Sequence, residues 1–429
     1  MTITSTLCVG IDISLDTNQV CVMNFDQHKF FNCSFDNSAS GTDALISEVV
    51  FIMNQHNYSS VIFAMEATSV YFFHLANKLS NAEELKLFDS QVYCLNAKIA
   101  ANYKKSFLGM PKNDHLDAYS LCDFVRVGRT KSLHEWRGAN YTALQRLTRY
   151  RYHLSTQLTR EKNYVLNNIY LKFSQLRKKQ GKGDTNNPFS DLFGATATSV
   201  LTDFATLDEI VDMPMEDLVE YLDTKGKHRF TDPHEVAVLL KKCANGSYRL
   251  DRMAYDAINI AIGSSLRMIK TLQREIKDID QQIADFVKGL HSPELTVLTS
   301  IPGIGPVFAA GIIAEIGSIE CFSNQNKLAK FVGLTWNEHS SGSFVSEDNE
   351  LFRTGNSYLR YYITEAANKF KNHDAYYHDF YTRKFNEAKT HKHKRALVLT
   401  SRKFVKLIYA MLRRQQLYSA TGEVILTTE

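Results

Sequence analysis

The run Leu7-Cys-Val-Gly-Ile-Asp-Ile13 decides the fold of the first part of the chain. Its apolar composition is typical of a β-strand, and Asp12 stands near its end. Two further strand-like runs follow, Gln19 to Phe25 and Lys29 to Phe35, after short polar turns. The sequence therefore predicts three successive strands at the start of an α/β domain.

Helices and strands alternate after these three strands, because the apolar spacing switches between helical and strand-like patterns. The predicted order βββαβαβα is that of an RNase H-like domain, which is expected to occupy residues 1–130. The elements after the third strand are helix Gly41 to Asn54, strand Ser60 to Met65, helix Val70 to Leu79, strand Gln91 to Leu95 and helix Asp114 to Val127.

Four carboxylates fall at the ends of these elements. Asp12 and Glu66 end two of the strands, and Asp114 and Asp117 share one face at the start of the last helix. Mg²⁺ prefers carboxylate, water and phosphate oxygens, and acids from two strands and one helix suit a two-metal phosphodiester site. Nucleic-acid strand cleavage is therefore the leading hypothesis, with Mg²⁺ as cofactor and Mn²⁺ as a substitute.

The alternative interpretation is that these acids are ordinary solvated or capping groups. Asp114 by itself is explained as a helix N-cap, and Asp16, four residues beyond Asp12, is interpreted as a turn residue. Glu66 resists this explanation, since it follows an apolar run that contains Phe63 and burying an unpaired acid is costly. The combined pattern favours a metal site.

Length and composition restrict the class of protein. The 429 residues suggest two or three domains, and 44% hydrophobic with 22% charged residues is ordinary for a soluble globular protein. Seven dispersed cysteines without a CxxC pair predict a reducing cytoplasm and exclude a disulfide scaffold. The uncharged stretch Leu295 to Ala314 is broken by proline and glycine, which predicts a buried pair of helices and no membrane span.

The middle of the chain, residues 131–290, is predicted to be helical and to form a coiled coil. Apolar residues keep a three-four spacing from Leu144 to Ile169, and Ile269 to Leu290 follows a heptad pattern. These helices are expected to form either an antiparallel hairpin within one chain or a dimerisation coil. A break and a helical insert at about residues 178–242 separate them.

The last part, residues 291–429, combines a glycine turn with a basic tail. The segment Ile301-Pro-Gly-Ile-Gly-Pro306 is either a tight turn or a helix-hairpin-helix-like motif whose backbone N–H groups meet a phosphate. The tail interleaves Arg and Lys with aromatic residues, as nucleic-acid-binding surfaces do. The candidate nucleic-acid-binding residues are Gly303, Gly305, Arg353, Arg360, Lys392, Lys394 and Arg395.

The loop His339-Ser-Ser-Gly-Ser343 is a second candidate site in this part. Its composition is typical of a flexible linker. Spacing alone marks neither Ser340, Ser341 nor Ser343 as a nucleophile, and a lone loop histidine such as His339 is usually just exposed. The residues by themselves therefore leave the role of this loop open.

These motifs occur in the order in which one known family carries them. The chain resembles the DEDD-type transposases of insertion-sequence family one hundred and ten, relatives of the Piv DNA invertase that are described as bridge-RNA-guided recombinases. The resemblance covers both ends of the chain and leaves mainly the middle uncovered. The matching segments are Val9-Gly-Ile-Asp12, Met65-Glu-Ala-Thr-Ser-Val-Tyr71, Lys112-Asn-Asp-His-Leu-Asp-Ala118, Leu298-Thr-Ser-Ile-Pro-Gly-Ile-Gly305, Phe331-Val-Gly-Leu-Thr335, Ser341-Gly-Ser343 and Arg353-Thr-Gly-Asn-Ser-Tyr-Leu-Arg360.

The resemblance implies a RuvC-like N-terminal domain with Asp12, Glu66, Asp114 and Asp117 as metal ligands, and a C-terminal transposase domain with Ser341 as nucleophile. It also implies donor and target DNA, a non-coding bridge RNA as guide, and a homo-oligomer (a dimer or tetramer) at the nucleoid of a prokaryotic cytoplasm. Departures from the family pattern remove no chemical group; they are Leu15, Ser69 and Trp336, where lysine, glycine and proline are common.

The expected activity is therefore DNA recombination by an insertion-sequence transposase, with Mg²⁺-dependent cleavage and strand exchange through a covalent phosphoserine. Two alternatives stay open. One is a RuvC-like structure-selective nuclease that hydrolyses DNA with water. The other is a non-catalytic nucleic-acid-binding protein built on the coiled helices and the basic tail.

Overall fold

The N-terminal part folds as a five-stranded mixed sheet. The computed structural model describes residues 5–67, 69–107, 114–176, 187–336, 340–341, 344–345 and 355–420. The sheet order is β3-β2-β1-β4-β5. Its strands are β1 (Thr6–Ile13), β2 (Thr17–Met23), β3 (Lys29–Asp36), β4 (Ser60–Glu66) and β5 (Asp89–Leu95).

Strand directions in this sheet are those of an RNase H-like domain. Strands β1, β2 and β3 pair antiparallel, whereas β4 and β5 run parallel to β1. Because a parallel pair needs a crossover connection, helices follow β3 and β4. The predicted succession of strands and helices along the chain is confirmed apart from one additional helix before the last one, and the second strand lies two residues earlier than the predicted Gln19 to Phe25.

Helices cover both faces of the sheet. The core on one face includes Leu45 and Met53 of the first helix, and the other includes Ala118 and Cys122 of the fourth. The fourth helix packs directly on β1 at Gly10, where an added Cβ would lie 2.2 Å from the Ala118 carbonyl oxygen. These helices are α1 (Ala39–His56), α2 (Phe72–Asn81), α3 (Ala97–Lys104) and α4 (Asp114–Arg126).

The described chain divides into two compact units, Met1–Arg149 with Ile283–Glu429, and Tyr150–Gln282. The second unit holds most of two long helices and the four shorter helices between them. Arg151 of the first long helix and Asp280 of the second form an ion pair, so these helices contact each other within one chain. The helices are α5 (Ala139–Lys172), α6 (Ala195–Asp203), α7 (Leu207–Asp212), α8 (Met215–Lys225), α9 (Pro233–Asn245) and α10 (Arg252–Lys288).

The C-terminal part is mainly helical, as predicted. The uncharged stretch 295–314 folds as two short helices joined by a turn, and no helix within the described ranges is long and apolar enough to cross a membrane. Tyr362, Phe370 and Phe404 are fully buried at its centre. The elements are α11 (Pro293–Thr299), α12 (Pro306–Ile316), α13 (Gln325–Val332), β6 (Ser340–Ser341), β7 (Phe344–Val345), α14 (Ser357–Phe370), α15 (Ala375–Glu387) and α16 (Lys392–Arg414).

Candidate functional site

Two of the predicted metal ligands lie at the same edge of the sheet. Asp12 is the penultimate residue of β1, and Glu66 is the last residue of β4. The strands are parallel neighbours, with Ile11 paired to Met65, so the next position brings Asp12 beside Glu66. Because neighbouring positions in register project from the same face of a sheet, both carboxylates belong to one side of this edge.

The other two predicted ligands, Asp114 and Asp117, lie in the first turn of α4. The helix dipole favours carboxylates there. Lys104 of α3 forms an ion pair with Oδ2 of Asp117. The second oxygen, Oδ1, is buried and finds no hydrogen-bond partner among the residues that the structure describes. Asp117 therefore keeps an unused acceptor in a position that water does not reach.

Electrostatics link all four carboxylates. Burial, as the largest cause, and the charge of Asp117 raise the pKa of Asp12 to about 6, with smaller contributions from the charges of Asp114 and Glu66. Lys104 acts in the opposite direction and lowers the pKa of Asp12. Burial disfavours the charged form of a carboxyl group, and repulsion from other carboxylates that share the site adds to this effect. The four carboxylates therefore concentrate negative charge, and Lys104 neutralises only part of it.

The chemistry of this donor set fits a hard divalent cation. Within the described ranges, no three Asp, Glu, His or Cys side chains are gathered tightly enough to hold a metal ion as they stand. Repulsion among the acids opposes a closer arrangement, and Lys104 offsets part of that repulsion through its ion pair with Asp117. An all-carboxylate set with an orphaned oxygen suits Mg²⁺ or Mn²⁺, which take oxygen ligands and neutralise the repulsion.

The candidate nucleophile lies in a small two-stranded ladder. Ser341 ends β6 and pairs with Phe344 of β7. Only the backbone of Ser341 is described, while His339 and Ser343 of the same loop lie outside the described residues, as does Arg353. The role of Ser341 thus stays a prediction.

The segment that carries Ser341 leaves and rejoins the helical core at two glycines in contact. Gly333 ends α13 in the left-handed conformation, with φ of 78°. An added Cβ on Gly355 would lie 2.2 Å from the Gly333 nitrogen, so only glycine fits this approach. Next to Gly355, the Asn356 N–H donates to the Phe331 carbonyl oxygen at 2.7 Å.

A buried acid that the sequence interpretation missed supports this junction. Glu315 of α12 accepts hydrogen bonds from Nε and Nη2 of Arg149 at 2.6 and 2.9 Å, and from Nδ2 of Asn356 at 2.7 Å. Its side chain is 0% exposed. The available signal was an acid directly after an uncharged run, the same pattern that singled out Glu66.

The predicted nucleic-acid-binding residues have different surroundings. Gly303 packs against the His373 ring, whereas an added Cβ at Gly305 would meet no described atom within 4 Å. Arg360 donates to the Val332 carbonyl oxygen at 3.2 Å, so its guanidinium is partly engaged in the fold. The remaining three are exposed in the first turn of α16; they are Lys392, Lys394 and Arg395.

Cations and aromatic rings of the tail lie against one another. Lys403 of α16 lies 3.3 Å from the ring centroid of Tyr376 and 4.2 Å from that of Phe380, both on α15. Lys371 lies 4.1 Å from the ring of Tyr381. These pairs form a partly exposed basic and aromatic surface, which has the composition that nucleic-acid-binding proteins use.

The sheet, with acids at the ends of β1 and β4 and at the start of α4, defines the class as an RNase H-like protein. Comparison with family models then identifies the family. Residues 9–173 match the model of the DEDD transposases of IS110, and residues 295–382 match that of the transposases of the IS116/IS110/IS902 family. Together these matches cover more than half of the chain, which belongs to the IS110 family of transposases.

Curated relatives are similar at low identity. The transposase for insertion sequence element IS1111A of Coxiella burnetii is 23% identical over 256 residues, which cover 56% of this chain and 69% of the relative. A 44.8 kDa protein of insertion element IS116 from Streptomyces clavuligerus is 28% identical over 156 residues, 36% of this chain and 38% of the relative. The chain thus matches about two-fifths of the length of that relative.

Part of the chain also aligns with a solved structure. RuvC of T. thermophilus in complex with a Holliday junction substrate is 11% identical, with a TM-score of 0.24, and the match covers 30% of this chain and 99% of that one. The RNase H-like assignment rests on the strand order and on the family model.

Proposed function

We propose that this protein is a DNA recombinase that moves its insertion element by metal-dependent cleavage and exchange of DNA strands. The observation that carries the proposal is the environment of Asp12. Burial and three further carboxylates raise its pKa to about 6, in a chain whose family consists of transposases. Groups with strongly perturbed pKa values cluster at functional sites, since charge is concentrated there for a ligand or a reaction.

Asp12, Glu66, Asp114 and Asp117 would hold two divalent cations, Mg²⁺ in the first place. Bound at these carboxylates, the cations would polarise the scissile phosphate and stabilise the leaving oxygen. The protein's own contribution would be the sheet edge and the first turn of α4, which would hold these ligands in place. Lys104 supports the metal-free form by partly neutralising Asp117.

The second part of the proposal concerns Ser341. Its hydroxyl would attack the scissile phosphorus, so that a serine–phosphate bond forms while the bond to one deoxyribose oxygen breaks. The serine proton is released and the leaving oxygen is protonated. Attack by a deoxyribose hydroxyl of another strand reverses these steps, so rejoining needs no external energy source.

The third part concerns partners. DNA phosphates would bind the basic surface of α15 and α16, and base pairing to a non-coding RNA would provide the sequence specificity. Ser341 and the carboxylates lie in different parts of the chain, so a dimer or tetramer could build each active site from two copies. Such a complex would work at the nucleoid of a prokaryotic cell.

A recombination assay tests this proposal. Wild-type protein with its copurified RNA, donor and target plasmids and Mg²⁺ should give joined products, and Asp12→Asn should reduce them by at least about 10³-fold because the metal acts on the chemical step. Asp16→Asn is the matched control, since Asp16 is an exposed acid four residues further on. Near-normal joining by Asp12→Asn would overturn the proposal.

A further inference from the structure

Three segments that are distant in sequence meet around Glu315. Asn356 belongs to the segment that returns from Ser341, and Phe331, whose carbonyl oxygen accepts the Asn356 N–H, belongs to the helix that leads into it. Arg149 comes from α5, the helix that follows the RNase H-like domain. The carboxylate of Glu315 therefore ties the returning end of the Ser341 segment to α5, and the backbone of Asn356 ties that end to the helix that leads into the segment.

Each member of this cluster is fixed by further contacts. Asn356 is also the N-cap of α14, because its Oδ1 accepts the Leu359 N–H at 3.0 Å. The guanidinium of Arg149 lies 4.6 Å from the centre of the Tyr358 ring. Near Arg149, the Tyr362 hydroxyl donates to the Thr148 carbonyl oxygen at 2.7 Å. A cluster held from several sides has little freedom to rearrange.

We infer that Glu315 is a positioning residue for the serine: with Arg149 and Asn356, it sets the place from which the Ser341 segment leaves and rejoins the helical core. This inference rests on the proposed serine mechanism and adds residues outside the carboxylate tetrad to it. The physical reason is that catalysis by a held nucleophile depends on its placement. A displacement of about 1 Å by a distant change can lower the rate about 100-fold.

The hydrogen bond between Glu315 and Asn356 can be broken and restored by exchanging donor and acceptor. Asn356→Asp keeps the N-cap oxygen but replaces the donating amide with a carboxylate that repels Glu315. In the double variant Glu315→Gln with Asn356→Asp, the new glutamine amide can donate to the new aspartate. Arg149 can pair with that aspartate as well. Glu320→Gln is the matched control, since Glu320 is an exposed acid in the same part of the fold.

The test measures how fast the full-length protein with its RNA becomes covalently trapped on saturating DNA. Asn356→Asp should slow trapping by about 10- to 100-fold while the DNA dissociation constant changes by less than about two-fold. The double variant should recover to within about five-fold of wild type, and Glu320→Gln should match wild type. Unchanged trapping by Asn356→Asp, or a double variant that refolds fully without regaining rate, would overturn the inference.

Hydrogen exchange separates this inference from the serine mechanism. Amides of residues 355–360 should exchange faster in Asn356→Asp and return to the wild-type rate in the double variant. Wild-type protein that recombines DNA without a serine adduct would refute the serine mechanism and, with it, this role of Glu315. Exchange that does not respond to Asn356→Asp would refute the junction itself, whatever the chemistry.

Glu315→Gln alone retains one acceptor oxygen and should give a smaller loss of rate than Asn356→Asp.

Discussion

Asp12 and Glu315 are both carboxylates at the end of an apolar element, yet their surroundings are opposite. Asp12 faces three other acids, and its pKa is raised to about 6 by burial and by their charges. Glu315 is fully buried and accepts three hydrogen bonds from Arg149 and Asn356. Buried charge needs compensation. For Glu315, hydrogen bonds from the protein compensate the charge. For Asp12 the compensation is incomplete, as expected for a ligand of an external cation.

The largest expected effect on stability follows from breaking the compensated site. Glu315→Ala leaves Arg149 without its carboxylate and Asn356 without its acceptor. Loss of one partner of a fully buried ion pair costs about 3–5 kcal/mol, and the lower end of this range is expected because the Arg149 side chain is 34% exposed. Urea unfolding of the full chain measures this loss, with Glu320→Ala as the exposed control. If Glu315→Ala lost no more stability than Glu320→Ala, the hydrogen bonds to Glu315 would not stabilise the fold, and Glu315 would not differ from Asp12 in this respect.

At Asp12, by contrast, removing the charged acid should increase the stability of the metal-free protein. Because the folded state raises the pKa of Asp12 from 3.8 to about 6, it binds the proton more tightly than the unfolded state does. The free energy of unfolding contributed by this group therefore falls as pH rises from about 4 to 6, a window taken from these two pKa values.

Asp12→Asn should accordingly stabilise the metal-free protein at pH 7.5, on the order of 1 kcal/mol once screening of a partly exposed group is included. The gain should shrink as pH falls towards 4. Thermal unfolding in chelator at both pH values tests this expectation. Adding Mg²⁺ should stabilise wild type more than the variant. A variant that is less stable than wild type at pH 7.5 would contradict the account of this site.

Lys104 offers a sharper test of charge at the same site. Its removal in Lys104→Met should raise the pKa of Asp12 further and tighten binding of Mn²⁺ about five-fold, close to 1 kcal/mol. Lys105→Met, which alters the exposed neighbour, should leave the affinity unchanged. Calorimetric titration of Mn²⁺ provides the measurement. Weaker binding by Lys104→Met would mean that the lysine assists the cation instead of competing with it.

The smallest effect is expected at the three exposed basic residues in the first turn of α16. Replacing Lys392, Lys394 and Arg395 with alanine should lower the slope of log affinity against log salt by about 2–3 for duplex DNA, because three phosphate contacts are lost. Affinity measured at several salt concentrations tests this. An unchanged slope would assign the three side chains to a solvated helix face.

The sheet and the carboxylate positions were predictable because they depend on local pattern. Continuous apolar runs marked β1 and β4, and Asp12 and Glu66 were visible at their ends. Helix α3 was missed because only Ala100 of its eight residues is buried, which leaves a weak apolar stripe. Lys104 was therefore missed with it.

The junction at Glu315 could not be predicted for a different reason. Arg149 and Glu315 are 166 residues apart in sequence, so no local spacing connects them. The contact between Gly333 and Gly355 likewise depends on how α13 and α14 meet. Single-sequence patterns record which residues are apolar or polar; they do not record which distant partner compensates a buried charge.

Mapping the covalent adduct tests the central claim most directly. Protein, RNA, donor and target DNA and Mg²⁺ are incubated, denatured and digested, and the nucleotide-bearing peptide is located by mass spectrometry. The proposed recombinase places the nucleotide on Ser341, with no adduct in Ser341→Ala although all four acids are intact. An adduct on another residue, or full recombination by Ser341→Ala, would contradict the serine mechanism and favour a nuclease that hydrolyses with water.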